Sequence, residues 1–206
     1  MVINVSHEHR CFIWLPPKTA TTRASGIFEK FGFVTLPLQN GYITRTPNKK
    51  FRHNHEMSLF HGSENYKLIS TTRNPYSLMA CKFKISQSDN SVDKFNQFLK
   101  KFFYRRDIDD LYKNQKYREP WDKRIPDYFI RMEYMYEDYL KLPFVKNTEL
   151  FMSGELEKMC GILVNENLIN KTPWKDLYDE ECADMVYYNF SKHFEVIGYD
   201  RNSYKK

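Results

Sequence analysis

The residues best suited to chemistry lie in the segment Leu15-Pro-Pro-Lys-Thr-Ala-Thr-Thr-Arg-Ala-Ser25. It follows a short apolar run, Cys11 to Leu15, that reads as a buried strand, and it enters a helical pattern from Thr21 to Phe31 that Gly32 stops. A chain that leaves a strand and turns into a helix presents backbone N–H groups at the positive end of the helix dipole. Such a turn holds a phosphate or sulfate. Lys18 adds a mobile positive charge, and Thr19, Thr21 and Thr22 add hydroxyl donors. A Walker A loop needs GxxxxGK followed by Ser or Thr, and no glycine precedes Lys18, so an ordinary NTPase is disfavoured. On these residues alone, a Pro-bounded turn with a Thr helix cap and a solvated lysine explains the segment equally well.

Two further segments carry chemistry. Ile69-Ser-Thr-Thr-Arg-Asn-Pro-Tyr76 again joins a strand pattern, Tyr66 to Thr72, to a helix opened by Asn74-Pro75. The planar fork of Arg73 suits a terminal phosphate, and the plain alternative is a surface salt bridge at a helix start. Between the two turns lies Phe51-Arg-His-Asn-His-Glu-Met-Ser-Leu-Phe-His61. An imidazole titrates in the right range to take a proton from a hydroxyl, which makes His53 and His55 candidate bases. His53, His55 and His61 also cluster as metal ligands would, but no flanking Cys or repeated carboxylate supports zinc, so no metal is expected. Solvated loop histidines are the remaining reading.

In order and spacing these segments resemble the sulfotransferases that use 3′-phosphoadenosine 5′-phosphosulfate (PAPS). Pro17-Lys-Thr-Ala-Thr-Thr22 is similar to that family's Pro-Lys-Thr loop, which grips the 5′-phosphosulfate. The resemblance implies that Lys18 contacts the oxygen bridging phosphorus and sulfur, while Thr19, Ala20, Thr21 and Thr22 cradle the 5′-phosphate. Arg73 falls on the family's second motif, whose arginine and a serine eight positions later bind the 3′-phosphate. That serine position is Cys81 here, a poor donor; Ser77 lies one helical turn earlier, and Lys82 and Lys84 are further substitutes. The His53–His55 pair resembles the H-x-H segment of the heparan and dermatan sulfate branch, which implies His55 as base with His53 beside it. Glu56 or Glu29 is the alternative, since other branches use a glutamate.

The resemblance continues through Asp127 to Asp138, where a strand carries Arg131 and Glu133 as a structural ion pair, and through Tyr178 to Tyr199, the closing helix. Lys171, Thr172 and Trp174 fall in the loop that closes over the nucleotide in that family. The helix Val92 to Tyr104 carries Phe95, Phe98, Leu99, Phe102 and Phe103 at helical spacing and reads as core rather than as a ligand platform. Lys100, Lys101, Arg105 and Arg106 form either a basic rim for an acidic acceptor or a solvated helix face. His7, His9 and His193 match no motif and are read as structural.

These residues must be held by strands and helices that alternate in the first half, followed by helices, one of them running from Asp179 to about Val196. The expected fold is α/β, a P-loop-like three-layer sandwich with a central, mainly parallel sheet flanked by helices and a helical C-terminal half. The basic stretch around Lys49, Lys50 and Arg52 reads as a loop. A chain of 206 residues that is 41% hydrophobic is expected to form a single domain over 1–206. Its formal charge of +6 favours an anionic ligand without choosing one. Cys11, Cys81, Cys160 and Cys182 form no CxxC pair and read as reduced, mostly buried thiols. No apolar run is long enough to span a membrane, and none resembles a signal peptide, so the expected location is the cytoplasm.

The expected partners are therefore PAPS, its product 3′,5′-adenosine bisphosphate (PAP), and a hydroxyl acceptor, with a carbohydrate suggested by the branch. Two other classes remain open. One is a nucleotide or nucleoside kinase with a degenerate phosphate loop, which would need Mg²⁺ and ATP. The other is a non-catalytic nucleotide- or nucleic-acid-binding protein, although no RNP, KH or helix-turn-helix signature favours nucleic acid.

Overall fold

The computed structural model describes residues 2–16, 18–35, 38–39, 42–46, 49–52, 65–86, 91–104, 125–161 and 173–205. The elements are β1 (Val2–Ser6), β2 (Cys11–Leu15), α1 (Thr21–Lys30), β3 (Val34–Thr35), β4 (Leu38–Gln39), β5 (Tyr42–Thr46), β6 (Lys49–Arg52), β7 (Lys67–Thr72), α2 (Pro75–Ser86), α3 (Val92–Tyr104), β8 (Tyr128–Arg131), α4 (Met135–Tyr139), α5 (Glu149–Met152), α6 (Glu155–Gly161), α7 (Glu180–Asn189) and α8 (Ser191–Ile197). Short 3-10 helices occupy Met132–Tyr134 and Trp174–Leu177. The chain folds into two compact units, Met1–Thr72 with Asn114–Val164 and Arg73–Lys113 with Asn165–Lys206.

The first unit is α/β. Its main sheet has five strands in the order β3-β1-β2-β7-β8. β2, β7 and β8 pair in parallel, whereas β1 is antiparallel to both β2 and β3. Four strands therefore run one way and β1 alone is reversed, so the sheet is mixed. Period-two alternation sends Cys11, Ile13 and Leu15 of β2, Ile69 of β7 and Ile130 of β8 into one core with Ala24, Ile27 and Phe28 of α1 and Tyr139 of α4. The intervening Phe12, Trp14 and Leu68 are buried as well. Strands buried on both faces read as continuous apolar runs, which is why β2 was legible; β7 combines the apolar Leu68 and Ile69 with buried Ser70, Thr71 and Thr72. α1 stops at Gly32, whose φ of 78° lets Phe33 N–H reach back to the Phe28 carbonyl at 3.0 Å.

The second unit is helical. Its buried side chains include Tyr76, Met79, Ala80 and Phe83 of α2, Phe95 and Leu99 of α3, Cys182, Ala183 and Val186 of α7, and Phe194 of α8. The α3 aromatics thus belong to a core: Phe95 lies 5.1 Å from Phe83 and 4.9 Å from Tyr178, ring centre to ring centre.

Several elements differ from the sequence expectations. β1 carries buried Asn4 and Ser6, whose polarity hid the strand. Lys49–Arg52 is a strand, β6, in a second sheet of order β4-β5-β6. The helices α5 and α6 were not anticipated. The expected single closing helix is broken at Phe190, where Asn189 Nδ2 donates to the Met185 carbonyl at 2.7 Å and the backbone leaves the helical region. Its two ends are as expected, with Asp179 accepting from Cys182 N–H at 2.7 Å and Gly198 left-handed. Among the described residues no helix is long and apolar enough to cross a membrane.

Candidate functional site

The turn from β2 into α1 is built around one carbonyl. Pro16 O accepts from Thr19 Oγ1 at 2.7 Å and from Thr21 Oγ1 at 2.6 Å, so both of its lone pairs are used. Thr19 Oγ1 also lies 2.7 Å from Thr71 Oγ1 at the end of β7. A hydroxyl has one hydrogen; since that of Thr19 goes to Pro16, Thr71 is the donor in this pair. The parallel register that sets Trp14 beside Ser70 brings these two threonines together, and both are buried. The hydroxyl protons of Thr19 and Thr21 are therefore directed into the turn itself. What the turn offers an anion is the start of α1, the exposed Thr22 and the exposed Lys18.

The backbone here is strained. Lys18 has φ 71° and Ala20 φ 58°, both left-handed without being glycine. Each costs about 1–2 kcal/mol, and such strain persists only where surrounding structure enforces it. The bonds of Thr19, between the two, supply that enforcement. Ala20 is also the residue that opens α1; its methyl makes no cap bond, and no acid stands in the first turn. Among the described residues of its cap and first turn, no side-chain cap and no carboxylate offsets the positive end of this helix.

Arg23 ties the first turn of α1 to α6 by donating from Nη1 to the Cys160 carbonyl at 2.7 Å, a cation on the negative end of a helix. Burial lowers the pKa of this guanidinium, and burial pushes the Cys160 thiol up to about 12 and the Cys11 thiol up to about 11. Both thiols are therefore protonated and inert as nucleophiles at neutral pH.

The turn from β7 into α2 is organised differently. Asn74 opens the helix: its Oδ1 accepts from Tyr76 N–H at 3.0 Å and its carbonyl accepts from Leu78 N–H at 2.9 Å. Arg73 Nε donates to Ser77 Oγ at 2.7 Å. Ser77 is buried, and Cys81, one turn further on, is half-buried. Arg73, Ser77, Cys81 and Lys84 fall at spacings of four, four and three, which places them along one stripe of the chain entering α2. Burial lowers the pKa of Lys84, Cys81 and Asp176 oppose that, and Arg73 adds to it. Arg73 and Lys84 are thus two cations within electrostatic reach of each other.

The other expected site residues divide into two groups. His53, His55, Glu56, His61, Lys171, Thr172, Arg105 and Arg106 lie outside the described residues. Trp174 is half-buried, edge-on to Tyr178 at 6.1 Å. Glu29 is exposed on α1 and accepts from Ser25 Oγ at 3.3 Å. Lys100 pairs with Glu181 at 2.7 Å, as a solvated helix face does. His9 stacks on Phe144 at 4.3 Å with Nε2 3.2 Å from the Phe31 carbonyl, His7 meets the Tyr66 hydroxyl at 2.8 Å, and His193 packs on Phe190.

The buried carboxylate that meets Arg131 is Asp138; Glu133 is exposed. Arg131 reaches Asp138 by Nε and Nη2, each at 2.8 Å, and Lys141 Nζ adds a bond at 2.6 Å. Burial alone would raise the Asp138 pKa; the hydrogen bonds from Arg131 and Lys141 outweigh it and hold the carboxyl below its ordinary value. Sequence reasoning placed a carboxylate on the helix after β8 but did not pair Asp138 with Arg131. It also missed Thr71, for which parallel pairing with β2 was the only signal. Among the described residues no group of three or more His, Cys, Asp or Glu is placed to hold a metal ion.

Compared with known proteins, the chain matches no family, no curated protein and no solved structure.

Proposed function

We propose that this chain is an enzyme that moves a sulfuryl group from PAPS to an acceptor hydroxyl. The observation that carries this reading is the β2–α1 turn. It combines left-handed backbone at Lys18 and Ala20, a helix start with neither side-chain cap nor first-turn carboxylate, and an exposed lysine. A positive helix end left uncapped beside a lysine favours an anion, and backbone strain kept in that turn is consistent with a functional role. The order of Pro17 to Thr22, His53 to His55 and Arg73 adds the resemblance to PAPS-dependent sulfotransferases.

In this reading the fold is the P-loop-like three-layer sandwich of that family, and PAPS lies at the carboxyl ends of the parallel strands. The acceptor oxygen attacks sulfur in line. A new O–S bond forms as the bond from sulfur to the bridging oxygen breaks, and PAP departs. His55 takes the acceptor proton, with His53 beside it, and Lys18 offsets the charge growing on the bridging oxygen. Arg73, oriented by Ser77, holds the 3′-phosphate, with Lys84 supplying charge where Cys81 supplies none. Lys171, Thr172 and Trp174 close over the nucleotide. The acceptor is a hydroxyl compound, with carbohydrates first in the search.

The test is PAP release from PAPS in the presence of carbohydrate, phenol and aliphatic alcohol panels, for wild type, Lys18→Ala and His55→Ala. The expected result is acceptor-dependent PAP formation that falls about 10²–10³-fold in Lys18→Ala. Undiminished transfer by folded Lys18→Ala would remove its role. Phosphoryl transfer from Mg²⁺-ATP in place of sulfuryl transfer would establish the kinase reading.

A further inference from the structure

The residues that open α2 are fixed by a stretch far away in sequence, 200–205. Asn74 Nδ2 donates to Ser203 Oγ at 2.8 Å, so all three polar groups of the Asn74 side chain and carbonyl are engaged, two in starting α2 and one in reaching this stretch. Tyr76, buried completely, donates its hydroxyl to the Arg201 carbonyl at 2.7 Å, while its own carbonyl accepts from Tyr178 Oη at 2.7 Å. Tyr204 packs on Tyr76 at 5.3 Å and on Tyr178 at 6.2 Å, ring centre to ring centre. The stretch is anchored in turn: Arg201 pairs with Asp184 at 2.9 Å and lies 4.4 Å over the Tyr187 ring, and Lys175 Nζ donates to the Lys205 carbonyl at 2.7 Å.

Residues 74 and 76 flank the helix start from which Arg73 and Ser77 project. The Arg73–Ser77 bond sets the guanidinium only as well as the backbone beneath it is set. We infer that Asp200–Lys205 is a positioning element for the Arg73 anion site, and that recognition of a 3′-phosphate depends on Asn74 and Ser203 although neither touches it. This rests on the reading of Arg73 as the 3′-phosphate ligand.

The experiment compares affinities for PAP and AMP, which share the 5′-phosphate and differ in the 3′-phosphate, in wild type, Asn74→Ala, Ser203→Ala and Ser203→Thr, each with its melting temperature. Wild type is expected to prefer PAP. Asn74→Ala and Ser203→Ala are each expected to cut that preference about three- to tenfold with AMP affinity unchanged, since both remove the part-buried Asn74–Ser203 bond and Asn74→Ala also removes the bond from Tyr76 N–H. Ser203→Thr, which keeps the hydroxyl, is expected to restore it. Alanine variants that keep the wild-type preference, or that lose PAP and AMP binding in step, would overturn the positioning role while leaving the nucleotide site intact. A wild-type chain with no preference for PAP over AMP would remove the 3′-phosphate site and the inference together.

Discussion

The two strand-to-helix turns solve the same geometric problem in opposite ways. Both follow parallel strands, β2 and β7, and both run directly into a helix. α2 begins on Asn74, whose side chain and carbonyl satisfy its first N–H groups, with Pro75 at the first helical position, where a missing N–H costs nothing. α1 begins on a left-handed alanine whose carbonyl accepts from Ala24 N–H at 2.9 Å but which has no side chain to cap with. The spare hydroxyls beside it, those of Thr19 and Thr21, are spent on Pro16 rather than on the helix. A capped helix start leaves less of its backbone dipole to an anion, so the proposed 3′-phosphate contact at α2 falls to a side chain, Arg73. An uncapped start presents its backbone dipole directly.

The largest expected effect of that difference is on catalysis. Lys18→Ala should lower the rate of PAP formation about 10²–10³-fold and leave the melting temperature close to wild type, because Lys18 is exposed. A comparable loss from Arg73→Ala would erase the contrast. That variant should instead weaken PAP binding about 10–100-fold and leave AMP binding nearly unchanged, since one charge-assisted contact is removed; calorimetry on both ligands reads this directly.

A control that touches neither turn is Asp138→Asn. It should cost about 2–3 kcal/mol in urea melts, less than a fully buried pair because Lys141 and part of Arg131 reach water. Since folding lowers the Asp138 pKa, its contribution is complete above about pH 4, the unfolded value, and is lost as pH falls through the lower folded one. The difference between wild type and Asp138→Asn should therefore narrow below that pH.

The smallest effect is also the sharpest test of the backbone argument. Ala20→Gly should raise stability by about 1 kcal/mol by relieving the left-handed alanine, whereas Asn74→Ala should lower it by about the same amount through loss of a cap. Shifts of the same sign would mean that the two turns are not opposed.

Much of this was legible in the sequence, for physical reasons that can be named. Cys11 to Leu15 and Val92 to Tyr104 carry patterns strong enough to fix both ends of β2 and α3. Asp179 and Gly198 marked the ends of the closing helical stretch because cap chemistry is local. What sequence reasoning lost was non-local. Thr71 matters only because parallel pairing sets it against Thr19, fifty-two residues away. Ser203 and Arg201 matter only because they meet Asn74 and Tyr76. Asn4 and Ser6 are polar yet buried in β1, so hydrophobic alternation could not reveal that strand. The threonine-rich loop was read as a set of hydroxyl donors, while two of those hydroxyls serve the turn's own geometry.

The central proposal is that the chain binds a nucleotide carrying phosphate at both 3′ and 5′ positions. Calorimetric titration of the purified chain with PAP, beside AMP and ATP, with and without Mg²⁺, tests it most directly. The account expects metal-independent binding of PAP, tighter than AMP or ATP. Binding that requires Mg²⁺ and prefers ATP, or no nucleotide binding at all by a folded chain, would contradict it.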